Sequence, residues 1–345
     1  IPATGSRAHE TKGAALHHIR LTVLLAAALA LGVAVPSHHP GVASAAPAAT
    51  HGVTSSTNVA AIGLSAQGRP IDVGCLGQGD HTVLLVGGLH TGMESISSDL
   101  VLELATLLWS GAIDLPSNLR LCLLPTLNPD GVVLDLHTNA RGVDLNRNWP
   151  AANWAAWAFH PETGDVSGGD QPLSEPETSA LYHYIAETRP ALVVVFHCCG
   201  SLVEANSASP AIALGQRYAA AAGFDYIDVW QHYTITGQFI DAMDHLGIPA
   251  IDVELERPDH TGLAQHRAAL SAVLTILADQ TPTPLGAPEL PSTATLYVVQ
   301  PGDTLANIAW HHGVNVDVLA VANGIYNPEL IEVGDPLTIP WSAPR

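Results

Sequence analysis

From about residue 59 to about residue 280, short apolar runs alternate with longer stretches of helical periodicity, and no other feature constrains the fold as tightly. The runs fall at 71–76, 82–86, 119–125, 191–196 and 248–253, and β-branched residues dominate the fourth, "ALVVVF". Runs this short, bounded by glycine, proline or polar residues, read as strands buried on both faces. Between them a 3.6-residue period at 96–109, from Ser174 onward, at 210–222 and at 262–278 predicts helices. In "SEPETSALYHYI", Ser174 precedes Glu177 by three places, the spacing at which each side chain accepts the other's backbone N–H at a helix start. Strand and helix alternating in this way predict an α/β domain, a mostly parallel mixed sheet with helices on both faces, whose active groups collect at the strand ends.

The flanks differ in composition. Arg7, Lys12 and Arg20 precede an apolar stretch at 21–35, and "VASAAPAAT" from Val42 supplies small residues for a signal-peptidase cut near Ala45 or Ala46. The apolar stretch is shorter than the roughly 20 residues that a spanning helix needs, so residues 1–46 read as a cleaved signal with no stable membrane insertion afterwards. A small-residue spacer occupies 47–58. Beyond the main domain at 59–280, "TPTPLGAPELPSTAT" at 281–295 reads as a semi-stiff linker. Residues 296–341 then show a strand, a helix closed by Gly313, a second helix closed by Gly324 and a last strand, a small βααβ unit.

With 345 residues, 47% of them hydrophobic, the chain can bury one good-sized core and a small module besides. Its net charge of −20, from 12 Lys and Arg against 32 Asp and Glu, and its lack of a basic cluster interleaved with aromatics argue against nucleic acid as a partner. Of the four cysteines, Cys75 and Cys122 fall in two predicted strands and could pair. Cys198 and Cys199 are adjacent, which makes a bridge between them sterically demanding and does not match a zinc ribbon; their state stays open.

Several residues could carry chemistry. His90 in "GGLHTGMES" follows one apolar run, and His197 in "LVVVFHCCG" ends another. If those strands are parallel neighbours, both imidazoles reach one rim of the sheet. With Glu94 they make two histidines and a carboxylate, the donors of a catalytic zinc site with an open fourth position. One Zn2+ held there would lower the pKa of water to about 7 and polarise a carbonyl, which amide hydrolysis requires. Glu254 emerges at the end of "IPAIDVELE", where a carboxylate is costly unless it has a partner or a task; taking the proton of an attacking water is such a task. "NARGVDLNRNWP" adds Arg141, Asn146, Arg147 and Asn148, and an arginine fork grips a carboxylate through two parallel bonds.

Five segments, "GGLHTGMES", "LPTLNPDGV", "GVDLNRNWP", "VVVFHCCG" and "YTITGQFIDAMDHLGIPAIDVELE", occur in an order that resembles the zinc carboxypeptidase family, and "GLSAQGRPI" is similar to its opening. The resemblance implies that His90, Glu94 and His197 are the zinc ligands and Glu254 the general base. It also implies that Asn146 and Arg147 clasp the substrate's free carboxylate, that Tyr233 is a phenol closing over the substrate, and that Ile240 lies near the side-chain pocket. Two positions depart from the pattern. The family spacing is His-x-x-Glu, which here falls on Met93, so Glu94 has to reach in from one residue later; Gly92, free to take positive φ, allows this if a turn rather than a helix joins the pair. The family's oxyanion-stabilising arginine falls at His137, with Arg141 four residues on as the expected replacement. Such a donor is typically worth about 3 kcal/mol.

The tail, through "YVVQPGDTLANIA" and "VGDPLTIP", resembles a LysM module, which implies binding of N-acetylglucosamine chains, with loops near 302–304 and 323–327 facing the sugar. Together the two resemblances imply a secreted, cell-wall-associated zinc peptidase. Its partners would be the glycan strands and stem peptides of peptidoglycan, its bonds those of the γ-D-glutamyl–diaminopimelate type, and the module would raise local substrate concentration. Two other readings stay open. One is a broad secreted metallocarboxypeptidase, for which Ile240 would suit an apolar terminal residue; the other, suggested by Met93 and His137, is a wall-binding protein whose peptidase domain has lost activity.

Overall fold

The computed structural model describes residues 58–160, 164–279, 295–312 and, beyond these, positions 316, 319, 320, 323, 325 and 331–339. The expected signal, nearly all of the spacer and the linker, and the helix-closing Gly313 and Gly324 lie outside the described residues.

Twelve strands are described: β1 (Asn58–Leu64), β2 (Pro70–Leu76), β3 (His81–Val86), β4 (Leu119–Leu124), β5 (Trp157–His160), β6 (Gly164–Ser167), β7 (Leu192–Cys198), β8 (Leu202–Ala205), β9 (Asp225–Ile227), β10 (Ala250–Leu255), β11 (Thr295–Val298) and β12 (Pro336–Ile339). The helices are α1 (Ile96–Trp109), α2 (Pro129–Leu134), α3 (Pro176–Thr188), α4 (Ala211–Ala222), α5 (Phe239–Leu246), α6 (Leu263–Asp279) and α7 (Leu305–His312). Eight strands form one mixed sheet in the order β1-β2-β4-β3-β7-β10-β8-β9, and β5 and β6 form a separate hairpin. The centre, β4 through β10, is parallel, whereas β2 and β8 join it antiparallel.

The pleat sorts the central strands onto two cores. Val83, Leu85, Leu121, Leu123, Val194, Phe196 and Val253 pack with α1, α4 and α6 on one face. Leu84, Val86, Leu124, Val193 and Val195 pack with α3 and α5 on the other. Each fully buried Val or Leu contributes about 1.5–3 kcal/mol, and strands covered on both faces need no polar alternation. That is why they read from the sequence as unbroken apolar runs. Cys75 and Cys122 face each other across β2 and β4 and are bridged, as are Cys198 and Cys199.

One local expectation fails. The helix foreseen at Ser174 opens at Pro176, with Glu175 in the capping position and no side-chain cap. Proline suits the first helical turn because it has no N–H to satisfy. Glu177, fully buried, instead accepts from the backbone N–H of Ala66 at 2.8 Å and from Asn139 at 3.2 Å, and Ser174 donates to Glu175. Fixed donors on neighbouring segments thus take the carboxylate that a capping box would use.

In the C-terminal unit β11 and β12 pair antiparallel, and Val316, Leu319 and Ala320 are helical. Val299, Leu305, Ile308, Leu319, Leu337 and Ile339 form its core. Among the described residues no helix is long and apolar enough to cross a membrane.

Candidate metal centre and its cleft

Strand β7 lies between β3 and β10, parallel to both, so the carboxyl ends of all three open on one rim. The register sets His197 directly beside Glu254. His90 lies just beyond β3, where Gly92 takes φ +67° and starts a 3-10 turn over Gly92–Glu94. The left-handed backbone at Gly92, strained for any residue with a Cβ, turns Met93 outward, 75% exposed. Glu94 turns inward, its side chain 15% exposed. A turn, rather than a helix, therefore joins His90 to Glu94.

Glu94 Oε2 lies 3.3 Å from Nδ1 of His90 and 3.3 Å from Nδ1 of His197, and it accepts the Cys198 N–H at 3.2 Å. One ligand atom from each of His90, Glu94 and His197 falls within 4.8 Å of the others, a spacing that suits a single metal ion. His90 Nε2 is 2.8 Å from Asp144 Oδ1, which also accepts the Asn146 N–H at 2.8 Å. A carboxylate on the far nitrogen fixes the ring's orientation and leaves Nδ1 to face an ion. His90, His137 and Asp144 form a second cluster with ligand spacing, but there the rings of His90 and His137 are stacked, 3.9 Å between centroids, and Asp144 is already engaged.

The electrostatics follow from burial and pairing. Burial works against a charged His90, yet Glu94 and Asp144 together raise its pKa to about 10. Burial likewise opposes the ionised forms of Glu94 and Asp144, but the imidazoles hold both carboxyls below their usual range. A cation entering the cluster meets carboxylates already ionised and displaces protons from the rings. Glu254 behaves oppositely: burial, aided by Glu94 and Asp252 and opposed by His197, pushes it up to about 8, and its Oε2 has no hydrogen-bond partner.

These groups line a cleft of about 830 Å3 together with His137, Asn146, Arg147 and Tyr233. Asn146 Oδ1 accepts the Phe239 N–H at 2.9 Å, which ties the loop to α5. Arg147 is buried, with Nη1 donating to the Asn146 carbonyl at 2.9 Å, Nε without a partner, and Asp144 4.0 Å away. A buried guanidinium with Nε unpaired, beside the Tyr233 phenol and the Asp144 carboxylate, favours an incoming anion. Tyr233 is partly buried, and burial raises its pKa.

Two expected residues sit elsewhere. Arg141 is not in the cleft wall: a turn closed by the Gly142 N–H on the Asn139 carbonyl points it outward, 55% exposed and 3.6 Å from Glu175. His137 occupies the wall instead, on a loop that the Thr91 hydroxyl pins through the Leu136 carbonyl. Ile240 is buried in the α5 core and lines an adjoining cavity of about 600 Å3. That cavity also carries Glu204, Asp241 and Asp244, so it is not the apolar pocket expected from Ile240. Sequence reasoning passed over Asp144, Glu204, Asp252 and Trp230, all of which line or brace these cavities.

Residues 50–204 match the zinc carboxypeptidase family model, and residues 297–340 match the LysM domain. Murein peptide amidase A of Escherichia coli K12 is 43% identical over 122 residues, covering 33% of this chain and 48% of that protein. The Vibrio campbellii protein of the same name is 34% identical over 139 residues, covering 38% and 54%. The chain thus spans about half the length of these curated relatives. A crystal structure of the murein-tripeptide amidase from Escherichia coli O157 superposes with a TM-score of 0.50 at 28% identity, covering 65% of this chain and 93% of that one.

Proposed function

We propose, from the match of residues 50–204 to the zinc carboxypeptidase family model and of residues 297–340 to the LysM domain, an exported, zinc-dependent peptidase that hydrolyses the stem peptides of peptidoglycan. The observation that carries the reading is the convergence of His90, Glu94 and His197 beside Glu254 at one end of the sheet. The donor set fits zinc: two imidazoles and a carboxylate, with one imidazole oriented by a second carboxylate.

In that place zinc would supply Lewis acidity, polarising the scissile carbonyl and making water a better nucleophile near neutral pH. Glu254 takes the proton from the attacking water and passes it to the leaving amine; its partnerless Oε2 and its register with His197 support that role. Arg147, with Asn146 alongside, holds the carboxylate next to the scissile amide. His137 faces the same space and donates toward the carbonyl oxygen as charge develops there, the task first expected of Arg141. Tyr233 closes the cleft against water.

The relatives' names point to murein peptides as the substrate class. The LysM domain, by holding glycan, raises the local concentration of the peptides attached to it. The features of residues 1–46 support export, and the module supports residence in the wall. Purified peptidoglycan and ordinary peptides, each incubated with the protein with and without a chelator and weighed by mass spectrometry, test the reading. Chelator-sensitive shortening of stem peptides is expected. Trimming of ordinary peptides alone would favour a broad carboxypeptidase, and no cleavage of either would leave only wall binding.

A further inference from the structure

Two sulfurs stand beside the metal donors. Cys198 and Cys199, bridged to each other, line the cleft directly after the donor His197. Their turn touches the centre on two sides. The Cys198 N–H donates to Oε2 of Glu94 at 3.2 Å, and Gly200 passes so near Glu254 that a Cβ added there would meet the Glu254 Cβ at 3.2 Å. The Gly200 N–H fastens the turn to β10 by donating to the Leu255 carbonyl at 2.9 Å. Peptide hydrolysis as derived above uses neither sulfur.

This bridge does not serve stability as the one between Cys75 and Cys122 does. A cross-link stabilises a fold mainly by closing a loop in the unfolded chain. Cys75 and Cys122 are 47 residues apart, whereas adjacent residues close no loop. Access separates the two bridges as well. Cys75 and Cys122 are buried in the core, but Cys198 is half-buried and Cys199 exposed, both at the cleft. Exposed disulfides are the ones that exchange with external thiols. What the bridge does constrain is local: it ties both side chains and the peptide between them into one ring, in the turn that presents the Cys198 N–H to Glu94.

We propose that the Cys198–Cys199 bridge is a redox-modification site, opened by small dithiols and closed by oxidation, whose state sets how tightly His90, Glu94 and His197 hold a metal ion. The metal itself comes from the peptidase reading, on which the proposal rests. In the reduction, a thiolate of the dithiol attacks the exposed Sγ of Cys199 and breaks the S–S bond, and the Cys198 sulfur leaves and takes a proton. The second sulfur of the dithiol then attacks the first within the mixed disulfide, and the Cys199 sulfur leaves and takes another. Two electrons and two protons pass from the dithiol to the protein, and the dithiol becomes a disulfide. The opened turn no longer fixes the N–H that Glu94 accepts, and the partners of a ligating group are worth about tenfold to a hundredfold in metal affinity. The centre is therefore slack in a reducing cytosol and tight in oxidising surroundings outside the cell.

Graded dithiothreitol on the intact protein, followed by iodoacetamide and peptide mass analysis, reads the site directly. Label should reach Cys198 and Cys199 at reductant concentrations that leave Cys75 and Cys122 bridged. Zinc competition on protein reduced to that extent with a phosphine should show an affinity about tenfold lower than in the bridged protein, and reoxidation should restore it. Cys198→Ser combined with Cys199→Ser, which leaves no thiol there to bind metal, should match the reduced protein and ignore the reductant. Earlier labelling of Cys75 and Cys122, an affinity that rises on reduction, or a double variant as tight as the bridged protein overturns the proposal. Zinc held equally before and after reduction removes the redox control and leaves the peptidase reading standing. Zinc held in neither state removes the metal centre, and the redox control with it.

Discussion

Glu94→Ala tests whether a carboxylate one residue late is a metal ligand. A structural zinc site with four ligands gains about 10–16 kcal/mol, on the order of 3 kcal/mol for each, so removing one should weaken binding by about two orders of magnitude. The structure modifies that figure in one direction. Glu94 also raises the pKa of both histidines, and a metal must displace the protons it helps to retain. Without it the rings lose protons more readily, which recovers part of the affinity at neutral pH. The expected loss is therefore about tenfold to a hundredfold at pH 7. Competition for zinc against a chelator of known affinity measures it. Met93→Glu combined with Glu94→Ala restores the shorter spacing but should not restore binding, because position 93 faces solvent at 75% exposure. Zinc affinity within about threefold of the unaltered protein in Glu94→Ala, less than 1 kcal/mol, or its recovery in the double variant, would refute the reasoning.

Three further outcomes are expected. His137→Ala should lower kcat on a stem peptide by about a hundredfold, the usual worth of a donor to developing charge, whereas Arg141→Ala, on the exposed side of its turn, should leave kcat/KM within about twofold. Cys75→Ala with Cys122→Ala opens a bridge spanning 47 residues and should cost about 4 kcal/mol in urea unfolding on the chain-entropy account. His266 is buried beside Tyr218, 2.8 Å from its hydroxyl, and burial lowers its pKa to about 4. The unfolded chain, at about 6.5, binds that proton first, so stability is full above pH 6.5 and falls as pH drops toward 4, by about 2 kcal/mol at pH 5. In His266→Gln that part of the acid-side slope should vanish, as urea unfolding at pH 7 and pH 5 would show.

How much of this was legible in the chain depends on where each signal resides. The central strands were legible because burial on both faces leaves an unbroken apolar run. The four-residue β8 and three-residue β9 were not, since they lie toward one end of the sheet and mix polar with apolar residues in too few positions to show a period. The turn at Gly92 was legible as a condition: a glycine between His90 and Glu94 permits the geometry, and only tertiary packing selects it. Arg141 against His137 was not legible. Four residues separate them, and the turn at 139–142 decides which one faces the cleft.

Asp252 shows where a sequence reading can go further than it did. In "IDVELE" the strand's two-residue period puts Asp252 on the same face as Glu254, so a carboxylate assigned to the rim implies a second one a step deeper. Glu204 has no such local signature, because its place opposite Asp252 exists only through the antiparallel pairing of β8 with β10. The chemistry proposed for this rim therefore depends on β10 holding its register with two neighbours at once. A slip of one residue would send Asp252 and Glu254 to the opposite face, into the apolar core beneath α4 and α6. Ile251 and Val253, fully buried in that core, oppose the slip, so the same alternation that seals the sheet also aims its two acids.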